Sequence, residues 1–154
     1  MTLNFQACVR FSWFCIPPIY FKGELSKTDC DSLIKWIKDT LGTKAFEVKL
    51  TGKLTSYPCM ITVEEMSAAR HFVRTQFANI SEDQRYLLLR PTVELNASHP
   101  VVVKLNKLRE SNPPLAQLVL EQVYDNAMVA AGLTEDPRTM VNRLNKLLTE
   151  LLKD

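Results

Sequence analysis

The sequence predicts an α+β fold, a small sheet packed with helices and followed by a C-terminal helical pair. Three observations carry that expectation. Apolar residues recur at three- and four-residue spacings in several separate segments. Between them lie short stretches in which apolar and polar residues alternate. The last forty or so residues then hold two apolar helices with marked ends.

The elements follow in order. Ser26, with Asp29 three residues on, resembles a capping box, and Leu33, Ile34, Trp36, Ile37 and Leu41 form an amphipathic stripe closed by Gly42. Phe46, Val48 and Leu50 alternate with Glu47, Lys49 and Thr51, as in a half-buried strand. Ser56-Tyr57-Pro58 turns the chain into a returning strand over 59–63. A helix from about Glu64 to Phe77 carries Met66, Ala69, Val73 and Phe77 on one stripe. Leu87-Leu88-Leu89 and Thr92-Val93-Glu94-Leu95, split by Pro91, read as an extended segment at a sheet edge. A helix from about Pro100 to Arg109 shows Val101, Leu105 and Leu108. The next helix opens at Pro113-Pro114 and stops at Gly132; the last is capped by Asp136, with Pro137 in its first turn. In that last helix Met140, Leu144, Leu147 and Leu151 form a seam, widened by Val141, Leu148 and Leu152. So much apolar surface at the end of a chain predicts a partner, most simply a second copy.

Composition bounds the function. The 154 residues suit one domain, and 46% apolar with 23% charged residues is ordinary for a globular chain. A net charge of +2 with no basic run predicts no nucleic-acid partner. No apolar stretch reaches the roughly 18 residues of a membrane span. Residues 1–24 are atypical: dense in aromatics and broken by Pro17-Pro18. They fit three readings, a poorly ordered or spurious segment, a targeting segment without a usable signal, or a strand.

Chemistry is sparse. His71 and His99 are the two histidines, and no metal-binding spacing surrounds them. Cys59 with His71 forms a nucleophile pair only in outline, since nothing orients the base. Only four glycines occur, none in a phosphate-binding loop. Cys8, Cys15, Cys30 and Cys59, with Asn79-Ile80-Ser81 and Asn96-Ala97-Ser98, leave open a small secreted disulfide-bonded protein; reduced thiols fit the irregular spacing and the core-sized apolar content better. No catalytic, cofactor or metal residue is assigned.

One set of motifs is more specific. Arg90-Pro91-Thr92-Val93-Glu94-Leu95-Asn96, His99-Pro100 and Lys104-Leu105-Asn106-Lys107-Leu108-Arg109 resemble the C-terminal domain of the ninety-kilodalton heat-shock chaperones. So do Gln122-Val123-Tyr124-Asp125-Asn126-Ala127, Ala130-Ala131-Gly132-Leu133, Asp136-Pro137-Arg138 and Arg143-Leu144-Asn145. Glu65 to Phe72 look most like the family's mitochondrial branch, and the resemblance runs from about Leu25 to the end. It implies a chaperone C-terminal dimerisation domain over 25–154, two copies joining as an intermolecular four-helix bundle. Its interface would use Leu118, Val119, Val123, Tyr124, Ala127, Met128 and Ala131 of one helix. The other helix would add Met140, Val141, Leu144, Leu147, Leu148 and Leu151. The resemblance also implies unfolded client proteins as partners, a mitochondrial location, and ATP with magnesium bound upstream, in family domains that do not fit in this chain. Met66 and Phe72 become candidate client contacts; the alternative is that both complete the core beneath the strands. The ending Leu151-Leu152-Lys153-Asp154 lacks the acidic tail of cytosolic members, which agrees with the mitochondrial branch.

Overall fold

The computed structural model describes residues 25–153 except 55 and 135, with Phe77 described in its backbone alone. The readings of residues 1–24, Cys8 and Cys15 among them, and of the Phe77 side chain lie outside the described residues. The expected α+β class holds: among the described residues six α-helices accompany a three-stranded mixed sheet.

Helix α1 (Lys27–Leu41) starts where Ser26 and Asp29 cap each other and ends at Gly42, whose φ of 54° suits glycine. Its stripe buries Leu33, Ile37 and Leu41. Strands β1 (Glu47–Leu50) and β2 (Cys59–Thr62) are not partners. β3 (Thr92–Leu95) lies between them, parallel to β1 with Val48 opposite Val93, and antiparallel to β2 with Ile61 opposite Val93. β2 therefore returns along the sheet, as read from sequence, without forming a hairpin with β1.

The segment 87–95 is the main correction. Leu87–Leu89 end a helix, α3 (Glu82–Leu89), and β3 is the central strand rather than an edge. Two local devices overrule the extended reading. Ser81 and Gln84 form a reciprocal capping box that starts α3, and Arg90 in the left-handed region stops it, its N–H donating to the Tyr86 carbonyl. Pro91 stands one residue before the strand, where its missing N–H costs no ladder bond and its carbonyl accepts from Phe46 N at 2.8 Å. Phe46 also departs from the alternation. It is exposed, with the Arg90 guanidinium 4.0 Å from its ring centroid.

Helix α2 (Met66–Gln76) buries Ala69 and Val73 as its stripe predicts. Helix α4 (Pro100–Ser111) is capped by His99, whose Nδ1 accepts from Val101 N at 3.1 Å. Helix α5 (Pro113–Ala131) lies across β2 and α4, and helix α6 (Val141–Leu151) packs on α5. The core gathers Leu33, Ile37, Ile61, Val93, Leu95, Val102, Leu120, Tyr124 and Leu133. Cys30 and Cys59 are free and buried.

Polar residues in the motif runs hold these joints. Asn96 accepts from Ser98 N and donates to the Leu54 carbonyl, fixing the turn from β3 into α4. Arg109 donates to Asn106 Oδ1 at 2.9 Å and to Ser32 Oγ at 2.9 Å, tying α4 to α1. Buried Glu94 accepts from Thr62 Oγ1 and pairs with Lys49 at 3.5 Å, so both flanking strands satisfy it.

Candidate interaction surface

An ion cluster and an apolar cleft lie between the terminal helices. Asn112 accepts from Leu115 N to cap α5, and Gly132, at φ 72°, ends it. Arg70 of α2 donates its Nε–H to the Ala131 carbonyl at 2.8 Å, placing a cation at the negative end of that helix. Beyond Gly132, Asp136 accepts from Arg138 N at 2.9 Å and pairs with the Arg138 guanidinium. That local clamp winds Pro137–Met140 into a tight 3-10 turn, so α6 proper begins at Val141 rather than at Pro137. Hydrogen bonding to Arg138 holds the Asp136 carboxyl below its ordinary range. Arg143 then bridges two acids of α5, Glu121 at 3.0 Å and Asp125.

The predicted interface residues divide. Tyr124, Ala127, Met128, Ala131 and Leu147 are buried within the protomer itself. The cause is that α5 is covered on several sides, by β2, α4, α1 and α6. Tyr124 is 2% exposed, and its hydroxyl donates to the Lys44 carbonyl at 2.7 Å. Leu118, Val119, Val123 and Met140 are half-buried. Val141, Leu144, Leu148 and Leu151 are exposed, joined by Leu152 and by Val129 of α5. Leu151 is 72% exposed and Leu152 80%. Between the helices a cleft of about 290 Å³ runs along Gln122, Asn126 and Val129 on one wall and Met140, Val141 and Leu144 on the other. Sequence reasoning missed Gln122 and Val129 as surface-forming residues. The available signal was their seven-residue spacing, which sets both on one face of α5.

Met66 and Phe72 are both half-buried and packed against the core, on different clefts. Met66 lines one of about 270 Å³ with Tyr57, Met60 and Ala130. Phe72 lines one of about 310 Å³ with Val63, Leu88 and Arg90. The exposed Leu87 and Leu88 of α3 extend the second apolar surface.

A larger cleft of about 450 Å³ holds Lys44, Glu82, Tyr86, Asp125 and Arg143. Its charges are engaged with one another, Lys44 with Glu82 at 3.9 Å and Arg143 with Asp125. Burial pushes the Tyr86 hydroxyl up to about 12, with Glu82 and Asp125 adding to the shift. Burial likewise pushes the Cys59 thiol up to about 12, so it is not a thiolate at neutral pH, and His71 lies exposed on α2. The nucleophile pair therefore has no activated member. Among the described residues no group of three or more His, Cys, Asp or Glu forms a metal site, and no helix is long and apolar enough to cross a membrane.

Comparison with known proteins places this arrangement. The chain is 48% identical over 129 residues to the mitochondrial heat shock protein 75 kDa of Rattus norvegicus, covering 84% of this chain and 18% of that relative. It is 35% identical over 128 residues to the mitochondrial TNF receptor-associated protein 1 homolog of Dictyostelium discoideum, covering 83% of this chain and 17% of the relative. Against the chaperone protein HtpG of Desulfitobacterium hafniense the identity is 31% over 129 residues, covering 84% of this chain and 20% of the relative. The chain thus spans about a fifth of the length of these relatives. The secreted disulfide-bonded alternative gains no support from these chaperones, and the family profile described as Hsp90 protein matches residues 21–154. This chain belongs to the Hsp90 family of chaperones.

Proposed function

We propose that residues 25–154 are the C-terminal dimerisation domain of an ATP-dependent chaperone that works in mitochondria. On this reading two copies join α5 and α6 into an intermolecular four-helix bundle across a two-fold axis. The observation that carries it is the open face of α6. Leu147 docks on the protomer, whereas Val141, Leu144, Leu148, Leu151 and Leu152 stay exposed side by side. Fully burying a leucine is worth about 1.5–3 kcal/mol, so several per protomer offset an association cost of about 4–15 kcal/mol. Leu147 is a poor test position, because charge there would detach α6 from its own protomer. Leu148→Glu alters only the open face. Light scattering at roughly tens of micromolar should find the unmodified chain dimeric, and Leu148→Glu monomeric yet folded, with an unchanged far-ultraviolet circular dichroism spectrum. A monomeric unmodified chain would overturn the reading.

The parent chaperone, on the same reading, uses ATP and magnesium to remodel unfolded client proteins. This chain itself, on that reading, carries no nucleotide site. What supports it is that Gly42 and Gly132 serve as helix caps rather than as a phosphate loop, and that among the described residues no group of three or more His, Cys, Asp or Glu could hold a metal. Calorimetry with the purified chain should therefore show no magnesium-dependent nucleotide binding. Client contact is a second reading, favoured by the apolar surface that Phe72 shares with exposed Leu88, and by the half-exposed Met66. Changing Met66 and Phe72 to Ser should weaken suppression of client aggregation and leave dimerisation and melting unchanged. Unfolding of that variant would assign both residues to the core.

A further inference from the structure

Two polar amides stand out at the terminal helices, one buried beside their cleft and one on the exposed leucine stripe. Gln122 is 7% exposed; its Nε2 donates to Asn126 Oδ1 at 2.9 Å, yet its Oε1 has no hydrogen-bond partner among the described residues. A buried carbonyl left without a donor has lost its bonds to water and gained none in return, so its position calls for a partner. Gln122 lines the cleft that Val141 and Leu144 form with α5. The second amide is Asn145. It lies four residues after Val141 and three before Leu148, on the exposed leucine stripe of α6. Its backbone carbonyl accepts from Thr149 Oγ1, while its side chain is exposed.

We infer, resting on the dimer reading above, that Gln122 Oε1 accepts a hydrogen bond from the side-chain amide of Asn145 of the partner subunit. The chemistry is complementary: an orphaned acceptor in an apolar cleft, and a donor carried by the leucines that would fill such a cleft. Gln122 Oε1 is enclosed in the free protomer, and the soft terminal torsion of a glutamine amide lets it turn toward a donor seated in the cleft. The two-fold axis makes the contact occur twice. A polar pair within an apolar helical interface acts on register, because a shifted or over-sized assembly leaves both amides buried and unpaired.

The test measures the dimer dissociation constant of the full chain by sedimentation velocity, with a double-mutant cycle. Asn145→Ala and Gln122→Met should each weaken the dimer about ten- to a hundredfold, without lowering the melting temperature of the monomer. The double variant should be little weaker than either single one, since both remove the same bond. Asn145→Leu should retain association and yield mixed assemblies larger than a dimer. Additive single effects, or no effect of Asn145→Ala on a chain that does dimerise, would overturn the pairing while leaving the dimer intact. A monomeric unmodified chain would instead remove the dimer reading itself. If Gln122→Met disturbs folding, Gln122→Glu offers a second probe. It keeps the acceptor, so dimerisation should persist at low pH, where the new carboxyl is neutral, and weaken as it ionises.

Discussion

Helices α5 and α6 are both rich in apolar residues, and the structure uses them in opposite ways. α5 buries Ala116, Leu120, Tyr124, Ala127, Met128 and Ala131, and its one phenol is bonded to the Lys44 carbonyl, eighty residues away in the chain. α6 buries Leu147 and leaves its other leucines open, tethered chiefly by Arg143 between Glu121 and Asp125. The same residue types thus give a core helix where neighbours surround it and an open face where they do not. Apolar patterning reports how much surface a helix must bury. It does not report whether the cover comes from its own chain.

The contrast can be broken hardest at Tyr124. Tyr124→Ala should destabilise the fold by about 3–5 kcal/mol in urea unfolding, because it empties a fully enclosed site and strips a partner from a buried carbonyl. Alkaline titration strikes the same helix and β2, across which it lies. Burial raises the Tyr124 hydroxyl above its ordinary value of 10.0 and the Cys59 thiol from 9.0 to about 12. Both groups are held neutral in the fold, so the unfolded chain releases its protons first. The stability they contribute is present below about pH 9 and is lost as pH rises toward 12, at up to about 1.4 kcal/mol per pH unit for each group. Tyr124→Phe should flatten the upper part of that decline, and no tyrosine or cysteine of α6 shares it.

Smaller effects sharpen the contrast. Arg143→Leu leaves Glu121 and Asp125 four residues apart without their shared cation. It should loosen α6 by about 1–3 kcal/mol, read as faster amide exchange in α6 while α5 stays protected. Ser81→Ala removes the cap of α3, outside both terminal helices, and should cost about 1 kcal/mol in melting experiments. Leu151→Ser, at a position 72% exposed, should leave the stability of the monomer within about 0.5 kcal/mol and act only on association.

Much of this was legible in local chemistry. Ser26, Gly132 and Asp136 each mark a helix end by a side-chain cap or a permitted positive φ, interactions that span only a few residues. The alternation around Val48 likewise foretold a buried strand position. The segment from Leu87 to Leu95 was misread because three leucines carry no period that separates helix from strand. The deciding signal lay upstream, in the Ser81 and Gln84 pair. The candidate interface was legible as two apolar helices, but not in its division between core and surface.

The sequence by itself determined where helices begin and end, since caps, prolines and glycines act through bonds between near neighbours. It also determined the family, through long motifs whose asparagines and arginines prove to be turn and joint residues. Tertiary structure alone decided that β3 sits in the middle of the sheet, because pairing β1 in parallel and β2 antiparallel depends on contacts tens of residues apart. It alone decided that Tyr124 is core and Leu148 is open, since burial depends on which neighbours arrive from elsewhere in the chain.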